Sequence, residues 1–190
     1  MIFGFVLSFG PAPEGEGRLL FVVGRRGLLV RSEGQVARLP EESDLKGLEL
    51  RHASCFGVMD GQACVAAPVP TAFEPPPGLA LRPLRSLFGL WSDRMVTVAG
   101  QAAQVVDFER THRFCGGCGR ATEPVPGERA RRCAACDLTD YPRISPAVIV
   151  LVRKGSQALL ARAAHFPLPF FSTLAGFVEI GETLEDTIAR

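Results

Sequence analysis

Four of the chain's six cysteines fall in two matching pairs, Cys115-x2-Cys118 and Cys133-x2-Cys136, separated by 14 residues. A C-x2-C turn converges two thiolates on one ion while nearby backbone amides point at the sulfurs, and the small residues Gly116, Gly117, Ala134 and Ala135 suit so tight a turn. Two such turns complete a tetrahedral site with no position left for a catalytic water. The spacing therefore predicts a structural zinc ribbon with one Zn2+ per chain, and rubredoxin-like iron is the alternative for the same donors. His112 lies three residues before Cys115, but four thiolates already fill the sphere. Cys55 and Cys64 stand apart in apolar surroundings, without ligand spacing.

The 190 residues are 47% hydrophobic and 22% charged, which excludes a disordered or collagen-like chain. A net charge of +1 gives no bulk field to recommend nucleic acid or a membrane as partner. No apolar run approaches the roughly 18 residues of a membrane helix. The opening MIFGFVLSF lacks a basic leading segment and a cleavage site, so Ile2–Phe9 reads as a buried strand rather than a signal peptide. The expected location is the cytoplasm, where grouped cysteines serve metals rather than disulfides.

Three regions follow from the texture of the chain. Residues 1–110 read as a β-rich domain, with strands at Ile2–Phe9, Leu19–Val23 and Gly27–Val30. The three prolines in Ala72–Gly78 exclude regular structure there. Leu79–Leu90 and Met95–Arg110 read as helices, the first from Pro83 onward and the second with Val98, Ala102, Val105, Val106 and Phe108 at near-helical spacing. Residues 111–143 form the ribbon. From 144 to 190, Ala147–Val152 is a continuous apolar run expected to be a buried strand, and Gln157–Arg162 returns after a turn at Lys154-Gly155. HFPLPFF is a proline-broken loop whose His165 has a weak case for phosphate contact. Overall the pattern is α/β in the α+β sense.

Arg129, Arg131, Arg132 and Arg143 cluster around the ribbon. They read as a solvated face balanced by Glu123, Glu128, Asp137 and Asp140, because no aromatic platform for stacking bases accompanies them. His52 reads as a surface histidine.

The most specific segment is GFVEIGETLEDTIAR, Gly176–Arg190. Thr183 is a good N-cap with Asp186 three residues on, Leu184 and Ile188 share a helix face, and acids crowd the helix start. The spacing Gly176-x5-Glu182-x7-Arg190 resembles the opening of the Nudix box, which continues Glu-hydrophobic-x-Glu-Glu-x-Gly. With LAGFVEIGET, YPRISPAVIVLV after the second cysteine pair, the THRFCGGCG opening and LRSLFGL, the chain resembles the NADH pyrophosphatase (NudC-type) branch of the Nudix hydrolases from about Leu79 onward.

That resemblance implies a β-rich N-terminal domain, a four-cysteine ribbon and the start of an α/β/α Nudix sandwich. It implies hydrolysis of the pyrophosphate of NAD(H) to NMN(H) and AMP, removal of NAD caps from RNA, catalytic Mg2+ or Mn2+ and a homodimer. It assigns Gly176, Glu182 and Arg190 to fixed box positions, Ala175 to a main-chain oxygen ligand of Mg2+ or Mn2+, and Glu128, Tyr141 and Arg85 to substrate contacts. The family's metal-binding glutamates follow the position of Arg190, where this sequence stops. The expectation is therefore an incomplete chain without turnover, and an aggregation-prone apolar strand at Ala147–Val152. The alternatives are a non-catalytic zinc-ribbon module that binds nucleic acid or a protein, and a Nudix hydrolase acting on another nucleoside diphosphate derivative.

Overall fold

The computed structural model describes residues 4–11, 17–34, 36–70, 72–164 and 170–190. These divide into two compact units, one ending at Pro142 and the other beginning at Arg143. The architecture is mixed and sheet-rich with few helices, the α+β class expected.

The first unit is built on a seven-stranded sheet. Its strands are β1 (Phe5–Pro11), β2 (Leu19–Gly24), β3 (Gly27–Glu33), β4 (Val36–Arg38), β5 (Ser54–Met59), β6 (Gln62–Pro68) and β7 (Leu79–Arg82). They lie in the order β1-β5-β6-β2-β3-β4, with β7 beside β3. The pairings are antiparallel except between β2 and β6, where Leu19–Val23 runs parallel to Cys64–Pro68. Consecutive residues Leu20, Phe21 and Val22, and again Leu28, Leu29 and Val30, are buried. Such unbroken apolar strands require cover on both faces. On one face Phe21, Val30, Phe56 and Ala66 pack with the helix α1 (Asp93–Thr111) through Val98, Ala99, Ala102 and Val106. On the other, Leu20, Val22, Leu29 and Val65 pack with Leu45, Leu48 and Phe73.

The expected strand over Ile2–Phe9 is seen from Phe5, its first residues lying outside those described, but it is not the buried strand expected: it lies at the sheet edge, with Phe5 buried and Val6, Leu7 and Phe9 exposed. α1 matches the expected second helix, and Ser92 caps it by accepting from the Met95 amide at 3.3 Å. The helix expected within Leu79–Leu90 from Pro83 onward is much shorter than expected. Leu79–Arg82 pairs with Leu28–Arg31 as β7, and only Leu84–Leu87 winds, as a 3-10 turn. Pro83 holds the preceding residue out of helical geometry, and the open edge of β3 takes the backbone hydrogen bonds of Leu79–Arg82. Ala72–Gly78 carries no regular structure, as its prolines require.

Three two-residue strands, β8 (Glu123–Pro124), β9 (Arg131–Arg132) and β10 (Thr139–Asp140), complete this unit in the order β10-β9-β8.

In the second unit β11 (Ala147–Val150) pairs with β14 (Leu174–Phe177), β12 (Val152–Lys154) pairs with β13 (Gln157–Leu159), and α2 (Leu184–Ala189) closes the segment. The expected continuous strand over Ala147–Val152 is broken at Leu151, where the chain exchanges one partner for another. It is also not buried: Ile149 is 73% exposed and Leu151 55%. Leu184 and Ile188 are likewise about half exposed, and the buried residue of α2 is Thr187. His165 lies outside the described residues.

Candidate functional site

The two cysteine pairs fold into knuckles with the same backbone bonds. In the first, the Cys115 amide donates to the Arg120 carbonyl at 2.7 Å and the Gly119 amide to the Cys115 carbonyl at 2.9 Å. In the second, Cys133 donates to Leu138 and Asp137 donates to Cys133, each at 2.9 Å. The residue after each second cysteine turns left-handed, Gly119 at φ +74° and Asp137 at +57°. Glycine does this freely, whereas Asp137 is held there with its carboxylate accepting from Arg132 Nε at 2.6 Å.

The four sulfurs lie within 4.8 Å of one another. Cys115–Cys136, Cys118–Cys133 and Cys118–Cys136 are 3.4, 3.5 and 3.8 Å apart. A tetrahedron with Zn–S bonds of about 2.3 Å has edges of about 3.8 Å, so the cluster fits one zinc ion. Amides of Cys136 and Ala135 aimed at Cys133 lower its thiol to about 6, and those of Cys118 and Gly117 lower Cys115. Cys136 is pushed up to about 12, chiefly by its hydrogen bond with Cys115. Crowded thiols resist becoming thiolates together unless a cation neutralises them.

His112 is not part of this centre. Its ring packs on Phe108 at 4.6 Å and its Nδ1 lies 3.2 Å from the Phe108 carbonyl, which closes the end of α1. The ribbon is fastened to that helix by Arg131. Its guanidinium donates to Glu109 at 2.6 Å, to the Thr122 hydroxyl at 2.8 Å, to the Thr122 carbonyl at 2.7 Å and to the His112 carbonyl at 3.1 Å. Arg129 is half-buried over the Phe9 ring and donates to the carbonyls of Ser8 and Phe56. Arg132 pairs with Asp137. Three of the four arginines of the sequence cluster are thus committed to intramolecular partners.

Beside the knuckles, the Val125–Glu128 turn closes with the Glu128 amide donating to the Val125 carbonyl at 3.2 Å, and Gly127 supplies its positive φ. Glu128 then accepts from the Tyr141 hydroxyl at 2.9 Å. That hydrogen bond and the carboxylate's charge raise the pKa of Tyr141, whose ring is 57% exposed. Arg85 stands exposed on the 3-10 turn after Pro83, and no hydrogen bond links it to this pair.

In the second unit, Gly176 and Ala175 sit in β14 opposite Val148 and Ile149. Nothing lies within 4 Å of a Cβ built on Gly176. Arg190 folds back to donate to both carboxylate oxygens of Glu182 at 2.7 and 3.1 Å and to the Phe177 carbonyl at 3.0 Å. Glu182 also accepts from the Glu179 amide and the Thr187 hydroxyl, each at 3.0 Å. The Arg190 hydrogen bonds lead in lowering its carboxyl to about 2. The x7 spacing of Glu182 and Arg190 therefore builds a clamp across the loop between β14 and α2. Thr183 and Asp186 cap α2 reciprocally, as the sequence anticipates.

Among the described residues the four cysteines are the one group of three or more potential ligand side chains brought together. Glu182 is committed to its clamp, and Ala175 contributes only a neutral carbonyl. The described residues hold zinc but do not by themselves make a carboxylate site for Mg2+ or Mn2+.

Two family models match the chain in succession: a NADH pyrophosphatase-like rudimentary NUDIX domain over residues 16–107 and a NADH pyrophosphatase zinc ribbon domain over residues 110–141. The "NAD-capped RNA hydrolase NudC" of Deinococcus radiodurans is 39% identical over 182 residues, covering 94% of this chain and 62% of that protein. Proteins of the same name from Pseudomonas fluorescens and Pseudomonas putida are 42% and 38% identical, covering 77% and 94% of this chain and 53% and 64% of theirs. The chain thus spans between half and two thirds of the length of these curated relatives. A rudimentary Nudix sheet leading directly into this branch's own zinc ribbon identifies the chain as a member of the NADH pyrophosphatase (NudC-type) branch of the Nudix hydrolases.

Proposed function

We propose that the protein is an NAD(H) diphosphatase, cleaving the pyrophosphate of NAD(H) to NMN(H) and AMP and removing NAD caps from RNA by the same cleavage. The observation that carries this reading is the exposed Tyr141–Glu128 pair, held on the zinc ribbon of a branch whose relatives bear the name NAD-capped RNA hydrolase. Tyr141 offers a ring face for a base, and Glu128 an acceptor for a ribose hydroxyl or an adenine amine. Arg85 brings a cation suited to phosphate. The ribbon's metal fixes the turn that carries Glu128, so recognition depends on zinc through geometry rather than chemistry.

Divalent Mg2+ or Mn2+, when bound, would neutralise the pyrophosphate and activate water. The Ala175 carbonyl would be one ligand of such an ion, and the Glu182–Arg190 clamp holds the loop on which that strand ends. The carboxylates expected to hold the ions are not gathered among the described residues, so the 190-residue chain alone is expected to lack turnover. The family resemblance favours a cytoplasmic homodimer. No helix among the described residues is long and apolar enough to cross a membrane.

The test is to extend the chain with the remaining part of the Deinococcus relative, supply NADH with Mg2+ or Mn2+, and follow products by chromatography. Metal-dependent release of AMP and NMNH supports the reading. A folded, zinc-loaded extension inert on NADH and on NAD-capped RNA removes it.

A further inference from the structure

The first unit also carries a groove whose lining does not include Glu128 or Tyr141. It measures about 710 Å³ and opens among the loop before β5, the end of β6, the end of α1, the first knuckle and Arg131 of β9. Its volume falls within the range of small-ligand sites. Four arginines line it, Arg51, Arg110, Arg113 and Arg131, together with His52, against two acids, Glu49 and Glu109.

The charges are not equivalent. Arg131 is spent on Glu109 and the Thr122 backbone. Arg51 pairs with Glu49 at 2.8 Å and Arg110 with Asp107 at 2.6 Å, both on exposed surface, where such pairs exchange readily for a better anion. Arg113 is exposed, and its guanidinium makes no hydrogen bond or ion pair among the described residues. Beside it Phe114 turns a ring that is 66% exposed into the same groove. His52 holds a left-handed backbone, φ +58°, at the groove wall. A non-glycine residue in that conformation carries strain of the kind retained at binding sites.

The arrangement is a guanidinium without a partner among the described residues, next to an exposed aromatic ring. It suits a ligand that is anionic at one end and flat at the other. We infer that this groove binds a nucleoside phosphate, with the phosphate on Arg113 and Arg51 and the base stacked against Phe114. Guanidinium forks match phosphate oxygens in pairs, and an aromatic face takes any base. The same chemistry is offered by a free mononucleotide and by a nucleotide within single-stranded RNA. Neither source requires the hydrolytic reading, since binding here needs neither turnover nor divalent metal.

The test is metal-free titration of the zinc-loaded 190-residue chain with AMP, with a 5′-phosphorylated oligoadenylate of about five nucleotides and with inorganic phosphate, at low and moderate salt. Saturable binding of AMP and oligonucleotide alike assigns a mononucleotide site. Binding of the oligonucleotide alone assigns an RNA site. In either case Arg113→Glu weakens binding about tenfold or more and Phe114→Ala several-fold, added salt weakens it, and zinc content is unchanged. Because Arg113 and Phe114 adjoin the knuckle, Arg51→Glu on a separate segment gives an independent loss. The losses in Arg113→Glu and Arg51→Glu, neither of which touches the Glu128–Tyr141 pair, locate the binding in this groove. No binding of either nucleotide probe, indifference to both charge reversals, or phosphate binding as tightly as AMP overturns the inference.

Discussion

The Tyr141 hydroxyl donates a 2.9 Å hydrogen bond to Glu128, joining a residue just beyond the second knuckle to the turn that precedes it. The carboxylate holds the phenol in its neutral form, because ionisation would lose the hydrogen bond and set two negative charges side by side. The chain has one tyrosine, so ultraviolet titration of the phenolate reads this site alone. Its midpoint should lie above the ordinary value of 10 and fall back towards it in Glu128→Gln.

The ribbon should carry one zinc ion per chain, measured by elemental analysis of purified protein. Cys133→Ser should lose the metal and unfold the knuckles, because the free energy of such a site is largely folding free energy. Cys64→Ala should leave zinc content unchanged: Cys64 lies in the sheet core, where burial pushes its thiol up to about 11.

Glu182 gives the second unit an acid-sensitive clamp. Its carboxyl is lowered from the ordinary 4.5 to about 2, so folding favours the ionised form. The contribution is complete above about pH 4.5 and disappears as the pH falls towards about 2. Chemical shifts of the Arg190 side chain should follow that titration, and Glu182→Gln should abolish it.

Arg131→Ala should destabilise the first unit by about 3 kcal/mol, seen in denaturant unfolding, because Glu109 and the Thr122 hydroxyl lose their common partner. Arg131 is only 12% exposed, so water replaces it poorly. Arg110→Ala, which breaks an exposed pair, should cost under about 1 kcal/mol.

Local chemistry made much of this readable in the sequence. Cysteine spacing located the ribbon, small residues allowed its turns, and Thr183 with Asp186 announced the cap of α2. The hairpin β5–β6 carried a local signal that went unread: Asp60-Gly61, both at positive φ, is the dipeptide favoured in a tight two-residue turn. The parallel pairing of β2 with β6 had no such signal, since it joins segments about forty residues apart through backbone bonds alone. The strand Leu79–Arg82 had no local signal either, since the partner that makes it one lies about fifty residues earlier. The Glu182–Arg190 clamp and the Arg131 network depend on side chains meeting after the backbone has folded. Spacing names their members without showing what they hold.

The most direct measurement of the account is steady-state kinetics on NADH, comparing the extended chain with its Glu128→Gln and Tyr141→Ala variants at matched zinc content. The account predicts that each variant raises KM about tenfold and lowers kcat far less, as expected for groups that bind the substrate without touching the reacting phosphorus. Unchanged KM in both variants, with folded and zinc-loaded protein, would contradict it.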